Sequence, residues 1–482
     1  MTDHSTFLQA AAALLDAKGF TCDPDLLEPW LTDWRGRYTG SALGMASPAS
    51  TNDVAKFVKL CAQHKVAIVP QGGNSGMSGG ATPDESGASV LLSLRRMNGI
   101  REFDPQAQTI ICDAGVILQN LHETAEEAGL RFPLTLGGKG SATIGGLIST
   151  NAGGTQVLRH GTMRAQVLGI EAVLPNGDVF DGLTALKKDN RGFDLKQLLI
   201  GSEGTLGIVT AANLRLVPKI VQRIVVWVGL PSIHAARDLL LTMQSEFLEA
   251  LEGFEVIPAH CLDSVLAHEP AARAPLEVTH EWNALLEFVS SDAEDSSLAE
   301  TVETILASAF EDGKIEDVVI ASNETQAEAF WALRDGISAA ERAIGPAMQH
   351  DIAVPVAAMP DFIAEVSPDI ERKFPGTTAA AFGHLGDGNV HFHVLAPAGV
   401  VAGEWEECEG KVISRYVHDE VTRFGGTISA EHGIGQMKRE ELGRLGDKVA
   451  LDLMRSIKSA LDPQNILNPG KLVPLAPKDA SF

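Results

Sequence analysis

Apolar residues fall at helical spacing from Phe7 to Lys18, in an alanine-rich pattern, and again through Phe57, Leu60 and Cys61, where Asn52 reads as the N-cap of a helix. After Lys65 the pattern changes. Val66 to Val69 is a short apolar run, the signature of a buried strand, and it feeds Pro70-Gln-Gly-Gly-Asn-Ser-Gly-Met-Ser-Gly-Gly-Ala-Thr-Pro83, a glycine loop. Strand-like runs follow at Val90 to Leu94 and Thr109 to Cys112, a helical pattern at Leu118 to Ala128, and a second glycine-rich stretch from Leu136 to Thr155. Asn176-Gly177, set between the apolar runs Ile170 to Leu174 and Val179 to Phe180, predicts a tight hairpin. A first domain is expected over residues 1–218.

From Ile220 the glycine density falls and strand-like runs alternate with helical ones: Ile224 to Val228, Ala235 to Glu246, Ala284 to Val289, Leu298 to Ala309, Val318 to Ile320 and Glu328 to Ala343. This alternation predicts an α+β domain, an antiparallel sheet with helices packed on one face, over residues 219–450. Gly403 to Phe424 is helical by pattern. Leu451 to Leu461 forms a last helix, stopped by Asp462-Pro463, in a closing segment 451–482 that returns to the first domain.

The 482 residues suffice for two to three folding units, and 45% apolar with 21% charged residues is the balance of a soluble globular chain. A formal net charge of −25 repels polyanions and excludes nucleic acid as a natural partner. Anionic ligands must therefore be held by local devices: main-chain N–H groups, helix N-termini or single arginines. Five cysteines (Cys22, Cys61, Cys112, Cys261, Cys408) without C-x-x-C spacing argue against a disulfide framework or a thiolate zinc site and fit a reducing cytoplasm. The most apolar stretches, such as Ile220 to Leu230, are too short for a membrane span, and the start has no export signal; a peripheral contact with the inner face of a membrane stays open.

Five glycines in the 14 positions from Pro70 to Pro83 leave the main chain uncovered, so successive N–H groups can turn toward an anion such as a pyrophosphate. The second stretch, with a short helix starting at Thr143, offers either further main-chain donors or close packing of backbone on backbone. Neither matches G-x-G-x-x-G, and no Walker or H-E-x-x-H motif occurs. Together with Gly201-Ser-Glu-Gly-Thr-Leu-Gly-Ile-Val209, the glycine segments resemble the flavin-binding domain of the vanillyl-alcohol oxidase (p-cresol methylhydroxylase) superfamily. That resemblance implies FAD, with Pro70, Gly72, Gly73, Asn74, Ser75, Gly76 and Met77 at the phosphates and Ser141, Thr143, Gly146, Asn151, Gly153, Ile208 and Asn468 at the remainder. Residues 70–83 contain no His or Cys for covalent attachment, so the FAD is expected to be noncovalent; His160 lies close to the second stretch.

The densest group of ligand-type residues is Gly383-His384-Leu-Gly-Asp-Gly-Asn-Val-His391-Phe-His393, followed by Ser429-Ala-Glu431-His432-Gly-Ile-Gly435. On a strand, His391 and His393 share a face, and a turn at Asp387-Gly388 brings His384 across to it. Glu431 completes a His/His/Glu set suited to Zn²⁺ or another divalent ion with positions left open, and His432 supplies a base beside it. On these residues alone, a metal-dependent hydrolase remains the alternative from another class. The cluster also resembles the C-terminal domain of the FAD-linked D-2-hydroxyacid dehydrogenases, including D-lactate and D-2-hydroxyglutarate dehydrogenases and the glycolate oxidase D-subunit. The resemblance implies metal ligands His384, His391 and Glu431, the base His432, and hydride transfer to flavin N5. It also implies substrate contacts at Arg334 of Trp331-Ala-Leu-Arg334, Ser338, Asn389 and His393. It further implies a homodimer and an electron acceptor such as a quinone or an electron-transfer flavoprotein. Two departures stand out. Gln349 occupies a position where dehydrogenases of dicarboxylic hydroxyacids carry lysine, and His393 one where many relatives have asparagine. D-2-hydroxyglutarate is the favoured substrate, D-lactate or glycolate the alternative, with His350 or Arg342 considered for a distal carboxylate.

Overall fold

The computed structural model describes residues 4–247, 249–293 and 297–474. They divide into two compact units: residues 1–154, 160–219 and 431–482, and residues 155–159 and 220–430. Residues 431–474 group with the first unit.

In the first unit, a four-stranded sheet sets Ala67–Gln71 parallel to Ser89–Ser93, which is parallel in turn to Met45–Ala46. The helix Thr51–His64 covers it through Val54, Phe57, Val58 and Cys61. Its N-cap is Ser50, not Asn52: the Ser50 hydroxyl accepts the Asp53 N–H (3.2 Å) and donates to the Asp53 carboxylate (2.8 Å), a reciprocal cap that Asn52 would lack. A five-stranded antiparallel sheet runs in the order Ile100–Asp104, Thr109–Asp113, Ile208–Arg215, Val167–Val173, Val179–Gly182. Its last two strands are joined at Asn176-Gly177, where Gly177 takes the positive φ (77°) the tight turn demands. The C-terminal segment lies along the smaller sheet, with the Ile68 N–H on the Ile466 carbonyl and the Asn468 N–H on the Ile68 carbonyl.

The second unit is built on a seven-stranded antiparallel sheet: Asp317–Ile320, Gln222–Leu230, Trp282–Ser290, Leu251–Pro258, Thr378–His384, Asn389–Leu395, Ala347–Ala353. Helices cover both faces, not one. Ile233–Glu246, Ser297–Glu311, Met359–Lys373 and Lys411–Arg423 pack on Val226, Phe254, Leu286 and Phe392; Ala259–His268 and Glu324–Ile344 pack on Trp227, Leu285 and Phe382. The reason is in the strands: Leu251–Pro258 is buried at every position, so neither face can be left to water.

Candidate active site

In the first unit, the strand Ala67–Gln71 delivers the chain into the loop that begins at Gly72. Two of its glycines are required by the second glycine segment. A Cβ on Gly73 would lie 1.7 Å from the Ser141 carbonyl oxygen, and one on Gly72 would lie 2.1 Å from Thr143 Oγ1. The second segment therefore packs closely against the loop, backbone on backbone at Gly73. On the other side Gly76 and Gly137 have nothing within 4 Å of a would-be Cβ, which leaves an open cradle. Among the described residues, the N–H groups of Gly72, Gly73, Asn74, Ser75, Gly76 and Met77 donate no hydrogen bond within the chain. Six consecutive uncommitted donors with a left-handed Asn74 (φ 53°) form the kind of nest that holds a pyrophosphate, so the residues fit FAD.

The remaining predicted cofactor residues differ in what they can offer. Pro70 closes the strand and packs under Gly204. Thr143 caps the helix Ile144–Thr150 with its buried Oγ1 lacking any partner, while Ser141 and Gly146 are exposed. Asn151 spends its Oδ1 on Thr162 and on the Arg164 N–H (both 2.9 Å), and Gly153 is buried. The Ile208 side chain is in the core, so only its backbone is available to a cofactor. Asn468 donates its amide to the Gly80 (2.9 Å) and Glu203 (2.8 Å) carbonyls, leaving Oδ1 unpartnered.

In the second unit, pairing of Thr378–His384 with Asn389–Leu395 sets His384 opposite Asn389, Phe382 opposite His391 and Ala380 opposite His393. The intervening turn is made by Gly388 (φ 82°) and by Asp387, whose carboxylate accepts the Asn389 N–H (3.0 Å). The three imidazoles thus share one face, with ring centroids 5.4 Å apart for His384 and His391 and 6.3 Å for His391 and His393. The neighbouring strand Ala347–Ala353 carries the chain on: Thr427 bridges Ala353, and the Ala430 N–H reaches the Asp351 carbonyl (3.3 Å), so Glu431 is the next residue out. One ligand atom from each of His384, His391 and Glu431 lies within 4.8 Å of the others. Two imidazoles and a carboxylate suit a divalent ion of the zinc type, and burial together with the Arg334 and His384 charges pushes His391 well down, toward the neutral form a ligand needs.

Glu255, absent from the sequence-level candidates, organises this group. Fully buried on Leu251–Pro258 opposite His384, it bonds His384 Nδ1 through one oxygen and accepts from Arg334 Nε (2.8 Å) through the other. Burial alone would raise its pKa, but Arg334 and His384 hold the carboxyl well below the usual carboxylate range. Its signal was a lone charge in the apolar run Phe254-Glu255-Val256-Ile257. Arg334 Nη2 lies 3.4 Å from His384 Nε2, on the helix Glu324–Ile344; Ser338 follows one turn later on the same side. Two turns on, Glu341 holds His393 Nδ1 (2.5 Å), both side chains being buried. Asn389 gives both amide hydrogens to Asp351 Oδ1 (3.0 Å) and the Ile352 carbonyl (2.9 Å), so only its Oδ1 remains for a substrate. His350 is on the opposite face, bonded to the Phe392 carbonyl and Ser414 (2.8 Å each), and Arg342 is exposed; neither joins the His384 face.

His432 and the amides of Ile434 and Gly435 follow Glu431, and a second buried carboxylate, Glu203, accepts both of those amides (2.7 Å each). Glu203 lies within the Ser-Glu-Gly-Thr-Leu-Gly motif, but the motif alone does not say which residue it serves.

Residues 42–182 match the family model for an FAD binding domain, and residues 221–472 that for the C-terminal domain of FAD linked oxidases. A D-2-hydroxyglutarate dehydrogenase of Arabidopsis thaliana mitochondria is 37% identical over 96% of this chain and 80% of its own length. One from Xanthomonas citri pv. viticola is 36% identical over 98% of this chain and 97% of its own. The structure of p-cresol methylhydroxylase with substrate bound superposes at a TM-score of 0.74 over 97% of this chain and 96% of that one, at 17% identity, a likeness of fold. Among the described residues no helix is long and apolar enough to cross a membrane. With the two family models together spanning most of its length, the chain belongs to the FAD-linked oxidases, a family of flavin-dependent oxidoreductases.

Proposed function

We propose that this protein oxidises the α-carbon of a D-2-hydroxyacid to the 2-oxoacid, with D-2-hydroxyglutarate the first substrate to test. The observation that carries the reading is the convergence of His384, His391 and Glu431 beside Arg334. FAD, held by the loop from Pro70, supplies the acceptor for the two electrons. His384, His391 and Glu431 would hold a divalent ion, zinc by the nature of the donors, which would supply Lewis acidity for deprotonating the hydroxyl. Arg334 has its Nε committed to Glu255, so a substrate carboxylate meets its Nη edge, and this clamp fixes the direction in which the α-carbon presents its one hydrogen, and so which enantiomer reacts. His432 accepts the hydroxyl proton. Ser338 and His393 line the wall toward the substrate's side chain. The reoxidant is a quinone or an electron-transfer flavoprotein, on the analogy of the family.

A second reading has its own support. Gln349 pairs with His393 in register, and His393 is already hydrogen-bonded to the buried Glu341, so that wall offers an amide and an engaged imidazole where a distal carboxylate would call for a lysine. This favours a 2-hydroxyacid with an uncharged side chain, such as D-lactate. Anaerobic bleaching of the flavin spectrum by D-2-hydroxyglutarate, D-malate, D-lactate and glycolate tests both. His432→Ala should keep FAD and lose bleaching by at least about a hundredfold. Bleaching at the normal rate removes His432 from the role of base, and a colourless protein with hydrolytic activity would replace the whole reading.

A further inference from the structure

Glu203 is 8% exposed, and its carboxylate accepts one main-chain amide on each oxygen: Ile434 N–H on Oε1 and Gly435 N–H on Oε2, both at 2.7 Å. These amides lie two and three residues after His432. The loop is shaped to receive the carboxylate. A Cβ on Gly433 would lie 2.9 Å from Glu203 Oε1, and Gly435, at φ 53°, presses against the Ser78 carbonyl, where a Cβ would lie 2.0 Å away. Glu203 is itself over-determined. Its backbone is left-handed (φ 51°), which a non-glycine residue adopts only under constraint; its N–H is held by the Ser149 carbonyl (2.8 Å) and its own carbonyl by Asn468 Nδ2 (2.8 Å). Asn468 Nδ2 in turn reaches the Gly80 carbonyl (2.9 Å), and Gly204 seats on Pro70. Glu203, with its neighbour Gly204 and with Asn468, thus ties the loop after His432 to the helix Ile144–Thr150 and to both ends of the glycine loop, all within the first unit.

Consecutive N–H donors that diverge toward two oxygens need an acceptor at each, and only a carboxylate offers both; an amide side chain turns a donor against one of them. Burial raises the Glu203 pKa, opposed by the Gly435 and Ile434 amides and by Lys438 and Lys471, so a carboxyl group is placed here at a desolvation cost that packing alone would not require. We propose that Glu203 is a positioning residue for the base: its carboxylate fixes the 432–435 loop, and through it the place of the His432 imidazole, relative to the glycine segments. This rests on the reading of His432 as the proton acceptor.

The test uses flavin-loaded wild type, Glu203→Gln, His432→Ala and the double variant. Amide hydrogen exchange over residues 430–437 without substrate should quicken by about tenfold in Glu203→Gln, as two charge-assisted bonds are weakened. The limiting rate of anaerobic flavin reduction by D-2-hydroxyglutarate, or by D-lactate if that bleaches faster, should fall by ~10–100-fold with substrate Kd changed less than about twofold. In the His432→Ala background the same substitution should cost less than about twofold, because there is no base left to misplace. Unchanged exchange, an unchanged limiting rate, or an equal loss in both backgrounds overturns the proposal. Normal reduction by His432→Ala instead sinks the reading of the base, while the exchange result still reports whether Glu203 holds the loop. Should Glu203→Gln lose its flavin, Gly433→Ala meets the same carboxylate from the loop side and is held to the same three results.

Discussion

Replacing Glu255 by glutamine keeps the shape of the side chain and removes its ability to serve two partners. The carboxylate is 1% exposed, accepts from Arg334 Nε at 2.8 Å, and bonds His384 Nδ1 with its other oxygen. The amide that replaces it could accept from one of them while presenting N–H to the other. Breaking one arm of a buried pair costs about 3–5 kcal/mol; because the amide preserves one bond, about 3 kcal/mol is expected, or roughly 6–12 °C in melting temperature for a unit of some 200 residues. The second consequence is chemical. With Nδ1–H no longer held, His384 loses the constraint that presents Nε2, and loss of such a partner weakens metal binding by about 10–100-fold. Thermal melts of the metal-free protein read the first effect, and zinc competition against a calibrated chelator reads the second. Glu255→Gln with zinc affinity unchanged and melting within about 2 °C of wild type would refute the claim that this carboxylate organises the cluster.

Gly73→Ala places a methyl 1.7 Å from the Ser141 carbonyl, so the loop must move; melting of the first unit should fall by about 3 kcal/mol equivalent and the flavin-to-protein absorbance ratio at least about tenfold. A full complement of FAD in that variant would contradict the packing of the two glycine segments. Burial pushes the Lys471 ammonium down to about 8, with Asp84 and Glu203 opposing and Arg439 assisting. The folded state therefore releases this proton near pH 8, and the unfolded chain holds it to about 10.5. Stability gains a contribution as pH rises across that interval, and Lys471→Met should lack it in denaturant titrations at both ends. Parallel pH dependence of wild type and variant would refute it.

The legible parts of the fold are those where local chemistry and tertiary structure agree. Asn176-Gly177 makes a hairpin because Gly177 supplies the left-handed φ that closes the short turn between Val173 and Val179, and Thr143 marks a helix start. Ser50, Thr51 and Asn52 are all cap-type residues, and the choice among them was made by Asp53, which can answer only Ser50. The strand Thr378–His384 carries little signal of its own: Thr-Ala-Ala-Ala-Phe-Gly-His has weak strand propensity, and it becomes a strand because Leu251–Pro258 and Asn389–Leu395 pair with it from either side. Helices on both faces were likewise hidden, since a run such as Leu251–Pro258 shows burial without saying what covers it.

The candidate site divides along the same line. Histidines and glycines were found because their spacing is local: His384, His391 and His393 fall within ten residues on one hairpin. The acids that orient them were not. Glu255 is 129 positions from His384, Glu341 is 52 from His393, and Glu203 is more than 230 from the amides it binds. Each is nearly fully buried, and a buried carboxylate is tolerable only where a donor meets it, so each marks a place where the fold spends desolvation to fix another group. For His384 the consequence can be followed to the atom. A carboxylate at Nδ1 requires a proton there, a neutral imidazole with that proton has its lone pair on Nε2, and Nε2 is the atom that can then serve an ion. The tautomer that would make this histidine a ligand is thus decided on a different strand, in a stretch of sequence that carries no motif.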